Sequence, residues 1–265
     1  ITIAPSFIAL LENWQIKRFP SALRQAGFSF VTETSVAAWY VSQETAKIVM
    51  QENDEKSLIS SACPAVVNYI EKYRPQLIDK LIPVLSPAMA HARMLRKKLP
   101  KKCPVVFAGP CIAKKAEAEW KANNPFIDAV LTFSELMQIF NQKGIDFNSC
   151  EESEFDELVP GDARLYPLEG GLLKTSGIST DMLSHKVISV SGIDEVRDIL
   201  DQLPLMDTTV LVEPLFCKGG CINGPDFDCN SSVFDRRNKI IAYHKQKQIQ
   251  TKAEPLDVSI STSFH

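Results

Sequence analysis

Four of the seven cysteines in this 265-residue chain, Cys63, Cys111, Cys217 and Cys221, follow short apolar runs that read as buried strands, and no other feature constrains the fold as strongly. Their contexts are Ser61-Ala62-Cys63-Pro64, Gly109-Pro110-Cys111-Ile112 and Phe216-Cys217-Lys218-Gly219-Gly220-Cys221-Ile222-Asn223-Gly224. In an open parallel α/β sheet, ligands bind in the crevice beyond the carboxyl ends of the strands, which is where these thiols would stand. Four thiolates are what a 4Fe-4S cube needs, one per iron, and cysteines from separate loops would hold it only in the folded protein.

The same residues admit other readings. Free cysteine is often a small buried hydrophobe. Cys103, Cys150 and Cys229 are read as core filler or surface thiols, with Cys229 close enough in sequence to Cys221 to reach the edge of a cluster. An odd number of cysteines, with no signal-peptide pattern at Ile1, points to a reducing, cytoplasmic compartment rather than a disulfide framework. The Cys217 to Cys221 pair alone would also suit zinc. Structural zinc sites, however, usually bring their ligands as two close pairs, whereas Cys63 and Cys111 are single.

Composition narrows the function class. With 45% hydrophobic and 23% charged residues the chain can bury a full core. A net charge of −3 gives no basic footprint for nucleic acid. No apolar run approaches the roughly 20 residues of a membrane span. The basic stretches 93–102 and 236–239 read as solvated faces, with a docking surface for an acidic electron-transfer partner as the alternative.

Short strands alternate with helices, which predicts an α/β protein with two βαβ-type halves and mainly parallel sheets. The first half, about 1–143, carries strands at 57–60, 104–108 and 129–132. Its helices start at Pro64, at Ser86-Pro87, near Lys114 and at a Ser134 cap. Residues 144–164 are acidic and irregular and read as a connection. The second half, about 165–245, carries strand 186–191, helix 194–203 and strand 208–212. Two ligand cysteines come from each half, so a cluster would sit between them, and 246–265 reads as a polar, weakly anchored extension.

The Cys-Pro loop at Cys63, the Pro-Cys-x-x-Lys-x-x-Glu loop at Cys111 and the Cys-x3-Cys-x-Asn-Gly loop at Cys217 together resemble the catalytic domain of iron-iron hydrogenases. The resemblance implies that Cys63, Cys111, Cys217 and Cys221 hold the 4Fe-4S part of an H-cluster, with Cys221 bridging to a two-iron subsite bearing carbonyl, cyanide and dithiolate ligands. It places Pro5, Ser6, Ala62, Lys114, Glu117, Tyr166, Gly170, Gly171 and Leu215 around that subsite, with Lys114 on one cyanide and Glu117 orienting it. In fast members a cysteine precedes the first ligand and relays protons; Ala62 stands there in this chain. Further relay positions fall on Ser42, Thr45 and Ile82, the pocket methionines on Gly109 and Leu215, and a threonine on Glu169, which is either a candidate proton carrier, if burial raises its pKa, or a salt-bridged wall residue.

These departures are most similar to the sensory branch of the family. The resemblance implies a low-turnover hydrogenase core with dihydrogen and protons as substrates, a ferredoxin-like protein or domain as electron partner, and a signalling domain. The alternative it leaves is a non-catalytic iron-sulfur protein similar to the cytosolic iron-sulfur assembly factors, which share the fold and also tolerate alanine before the first ligand.

Overall fold

The computed structural model describes residues 1–52, 56–120, 126–181, 186–227, 231–246 and 255–264. In chain order the elements are β1 (Thr2–Ile3), α1 (Asn13–Ile16), α2 (Phe19–Gln25), β2 (Thr32–Glu33), α3 (Ser35–Glu52), β3 (Leu58–Ile59), α4 (Pro64–Tyr73) and α5 (Pro87–Lys98). There follow β4 (Val106–Gly109), α6 (Ala113–Glu119), β5 (Ala129–Thr132), α7 (Phe133–Gln142), α8 (Gly171–Ser176), β6 (Val187–Ser191), α9 (Ile193–Gln202), β7 (Leu211–Leu215) and α10 (Val233–Gln246). Short 3-10 turns at Pro5–Ala9, Ala163–Leu165 and Cys221–Asn223 lie among them.

Among the described residues the strands form two parallel sheets, a four-stranded one in the order β2-β1-β4-β5 and a three-stranded one in the order β3-β7-β6. The α/β class with parallel sheets is as the sequence implies. The division into sequential halves is not, because β3 leaves the N-terminal stretch to pair with β7, Leu58 against Leu211. Ile59 is fully buried and can complete its backbone hydrogen bonds only beside another apolar strand, which β7, buried along its whole length, provides. Three of the four cysteines therefore follow strands of the second sheet and only Cys111 follows a strand of the first.

Local chemistry explains the helix starts. Pro64 opens α4, where its missing N–H is no loss. Ser86 caps α5, its hydroxyl accepting from the Met89 amide. In α7 the cap is Thr132 rather than Ser134: the Thr132 hydroxyl accepts from the Glu135 amide while the Glu135 carboxylate accepts from the Thr132 amide, a reciprocal box. The Ser134 amide instead donates to Asp226.

The acidic connection is bound along the edge of the first sheet. Asp156 accepts from the Val31 amide and pairs with Arg24, while the Asp156 amide donates to the Val31 carbonyl, so the exposed side of β2 is covered. The expectation of a weakly anchored tail fails for residues 255–264. Ile260 is buried against Leu85 and Val84, its carbonyl accepts from the Leu85 amide, and Ser261 bridges to Val84, because an apolar side chain in the polar stretch supplies an anchor. No described helix is long and apolar enough to cross a membrane.

Candidate metal-cluster site

The carboxyl ends of β1, β2 and β4 from the first sheet and of β3 and β7 from the second open into one cavity, which encloses about 860 Å3 of atom-free space, part of it open to solvent. Cys63, at the cap of α4, Cys111, between β4 and α6, and Cys217 and Cys221, in the loop after β7, all line it. Each is a free, half-buried thiol. The loop after β7 takes its shape from Gly219 and Gly220, both at positive φ, and the Cys221 amide donates to the Pro167 carbonyl at 2.8 Å.

The four thiols act on one another. Burial pushes Cys217 up to about 11, with the charges of Cys63 and Cys111 adding to it. Burial likewise raises Cys221 far above the ordinary thiol, again helped by the other three. Burial also raises Cys111, against the pull of the Lys114 ammonium. Thiols that hinder each other's ionisation become thiolates together only around a polycation. Among the described residues no group of three or more His, Cys, Asp or Glu side chains is arranged to hold a single metal ion. Four thiols around one cavity are the donor set of a 4Fe-4S cube, one per iron.

Polar groups beyond the cysteines face the same cavity. Lys114 is buried, and its Nζ donates to Ser86 Oγ and to Glu117 Oε2, both at 2.7 Å, so it is not the surface lysine that its helix alone would imply. Ser6 Oγ and Tyr166 OH are buried without a protein partner although both residues line the space. Two orphaned hydroxyls and a buried ammonium are what an inserted group with anionic, hydrogen-bond-accepting atoms would satisfy. The residues present therefore fit both a cube on the thiols and an anionic group beside it.

Pro5, Ser6, Ala62, Lys114, Tyr166 and Leu215 lie on the cavity wall. Glu117 stands behind Lys114, buried, rather than on the wall. The glycine pair is displaced from its expected place. Gly170 turns at φ 78° into a separate surface groove, and Gly171 is pressed against the turn below Tyr166, where a Cβ would come within 2.2 Å of the Leu165 carbonyl oxygen. Glu169 is exposed in that groove and hydrogen-bonded to Ser191, so its carboxylate does not face the cavity as a proton carrier would. Ser42 spends its hydroxyl on the Ala38 carbonyl of its own helix, and Ile82 is core. Cys229 lies outside the described residues.

Sequence reasoning missed three groups. Ser86 is both a helix cap and a Lys114 partner. Thr34, just after β2, lines the cavity. Glu213, in β7, is the buried carboxylate that Glu169 is not: burial raises it to about 8, although the Leu172 and Leu173 amides donate to it. A carboxylate inside an otherwise apolar run, followed by Pro214, is the signal in the sequence that could have found it. Tyr166 is held by its own scaffold, since Arg164, in the turn before it, forms a buried ion pair with Glu33 of β2 at 2.8 Å.

Residues 1–225 match the family described as iron only hydrogenase large subunit, C-terminal domain. The NADP-reducing hydrogenase subunit HndD of Solidesulfovibrio fructosivorans is 24% identical over 78% of this chain and 44% of its own length. The probable cytosolic Fe-S cluster assembly factor oxy-4 of Caenorhabditis elegans is 25% identical over 91% of this chain and 65% of its own length. The chain thus spans about half to two thirds of the length of these curated relatives. In fold it is similar to the FeFe-hydrogenase HydA1 from Chlamydomonas reinhardtii, with a TM-score of 0.73 at 19% identity, covering 93% of this chain and 84% of that one.

Proposed function

The chain belongs to the iron-only hydrogenase family, and from that premise we propose that it is an H-cluster hydrogenase core of low turnover with a sensory role. The observation that carries the reading is the set of groups beside the thiols: buried Lys114 and the orphaned hydroxyls of Ser6 and Tyr166 on one wall. A cube alone has no use for them.

In this reading Cys63, Cys111, Cys217 and Cys221 hold the 4Fe-4S cube, Cys221 also tethers the two-iron subsite, and Ser6 and Lys114 hold that subsite's cyanides. The bound group supplies the heterolytic chemistry of dihydrogen and the store for its electrons. The chain's own work is to orient and to exclude water. Glu117 and Ser86 fix the Lys114 ammonium by two hydrogen bonds, so the cation meets an anionic ligand without rearrangement. Ala4, Pro5, Ala38, Ala88, Phe107 and Leu215 give the wall an apolar surface. Ala62 offers no proton at the position where fast enzymes carry a thiol, which supports slow turnover. A ferredoxin-type protein or domain would be the electron partner of such a group, and a signalling domain would receive its state. Free thiols suit a reducing, cytoplasmic setting.

A second reading, a non-catalytic iron-sulfur protein akin to the assembly factors, is supported by the 91% coverage in the match to the oxy-4 protein, while Ala62 fits both readings. Infrared spectroscopy of matured protein separates the two, since only the two-iron subsite carries carbonyl and cyanide. Carbonyl and cyanide bands are expected in the wild type and are expected to be lost in Lys114→Ala, while the visible absorption of the cube persists in both. A cube without those bands in the wild type would establish the second reading.

A further inference from the structure

The cavity has an unbroken hydrogen-bonded exit through the first sheet. Thr34 lines the cavity at the end of β2. Its Oγ1 lies 2.7 Å from Thr2 Oγ1, which lies 2.8 Å from His91 Nδ1. His91 Nε2 lies 3.0 Å from Glu157 Oε2, and Lys98 Nζ donates to Glu157 Oε1 at 2.6 Å. Thr2 and His91 are wholly buried, whereas the Lys98 side chain is 51% exposed. The chain of contacts therefore begins at the cavity wall and ends at solvent. We propose that Thr34, Thr2, His91 and Glu157 form a proton relay between the cavity and bulk water, replacing the route that Ala62 closes.

The direction of each bond follows from its partners. Burial opposes a charge on Glu157, but the hydrogen bond and charge of His91, with hydrogen bonds from Lys98 and Thr32, outweigh it and hold the carboxyl at about 2. Glu157 is then an acceptor only. When the imidazole carries a single hydrogen, that hydrogen sits on Nε2, toward Glu157, and Nδ1 accepts from the Thr2 hydroxyl. Thr2 accepts from Thr34, which leaves the oxygen of this cavity-lining residue with a lone pair to take a proton.

A proton reaching Thr34 Oγ1 drives that hydroxyl's own hydrogen to Thr2, the Thr2 hydrogen to Nδ1, and the Nε2 hydrogen to Glu157, which passes it to water beside Lys98. Each hop breaks one O–H or N–H bond and makes another. One proton moves and no electron does. Hydroxyl rotation and a tautomer change at His91 reset the path, and the reverse sequence delivers protons inward. The acidic connection thus supplies a functional residue, and the edge contacts that bind it to β2 keep Glu157 in line with His91 and Thr32.

The purpose of the relay rests on the hydrogenase reading, so the test has two arms. In cofactor-free protein labelled with 15N-histidine, with the His91 signal assigned by its absence from His91→Gln, the Nε2–H tautomer is expected, with exchange of that hydrogen with water. Glu157→Gln is expected to slow that exchange by about 10²-fold, the lower end of what a positioned acid–base group contributes. An unchanged exchange rate in Glu157→Gln overturns the relay. In matured protein, the rate at which the infrared bands respond to dihydrogen is compared in H2O and D2O. Thr34→Val and His91→Gln are each expected to slow it about 10²-fold or more and to change the solvent isotope effect, with band positions unchanged. Glutamine keeps the two hydrogen bonds of His91 but carries no mobile proton, so a wild-type rate in His91→Gln and in Thr34→Val overturns the relay. Absence of carbonyl and cyanide bands in the wild type overturns the hydrogenase reading instead, and the exchange arm then decides the relay by itself.

Discussion

Glu213 holds a carboxyl in the middle of β7, four residues before Cys217, where both of its oxygens face amides of α8. Burial raises it to about 8, with Glu169 adding to the effect. A carboxyl whose folded pKa lies above its unfolded value stabilises the fold most below about 4.5, and that contribution is lost as pH rises toward about 8. The loss is on the order of a few kcal/mol, at 1.36 kcal/mol per pH unit. Cluster-free wild type is therefore expected to melt at lower temperature at pH 8 than at pH 5.5, and Glu213→Gln to lose most of that slope. Parallel pH dependence in the two proteins, read by thermal melts in matched salt, would remove Glu213 as its source. Lys114 makes the complementary point: a buried ammonium with two fixed partners in a cavity wall is an anchor whose meaning is set by what it faces.

At the scale of elements, the loop after β7 depends on Gly220, which sits at φ 86° and whose Cβ would lie 2.4 Å from the Pro167 carbonyl oxygen. That same oxygen accepts the Cys221 amide, so Gly220→Ala must push the thiol out of place. The substitution is expected to cost on the order of 1–3 kcal/mol and to lower bound iron below four per chain after reconstitution. Full iron content with an unshifted melt would show that the loop yields without moving Cys221. The cysteines themselves were legible in the sequence because each follows an apolar run or a turn of glycine and proline, and so were β5, β6, α4 and α5. Others were not, for physical reasons. β1 and β2 are two residues each and exist only through their neighbours. The buried face of α3 is made of Ser35, Val36, Ala37, Ala38, Val41, Ser42, Thr45 and Ala46, mostly small and partly polar residues that leave only a weak apolar period. β7 runs through Pro214, a residue that ordinarily ends a strand, so it lies three residues later than its composition suggests. Thr34, His91 and Glu157 come from three distant segments, and only the tertiary fold brings them into line.

For the whole molecule, a body held by Cys111 after the first sheet and by Cys63, Cys217 and Cys221 after the second would add a tie between two sheets that already share an apolar core, in which Phe107 clusters with Leu58 and Leu211. A group that binds only the folded chain adds its binding free energy to stability, and about 3 kcal/mol would appear as a rise of about 6–12 °C in Tm for a protein of this size. Cys111→Ser is expected to abolish that rise, since it cuts the cluster's tie to the first sheet. Equal melting temperatures of loaded and cluster-free wild type, measured anaerobically, would rule the clamp out. The strand exchange has a consequence in time as well as in space. The Val210 amide donates to Ser57 Oγ across 153 residues of chain, beside the pairing of β3 with β7. At about 5–20 residues per second of synthesis, β3 emerges from the ribosome some 8–30 seconds before the strand that completes it. Throughout that interval Ile59 and Cys63 belong to a nascent chain with an open edge and a bare thiol, so a cluster on all four cysteines would have to wait for translation past Cys221, and the half-made protein is exposed to edge-to-edge association until then.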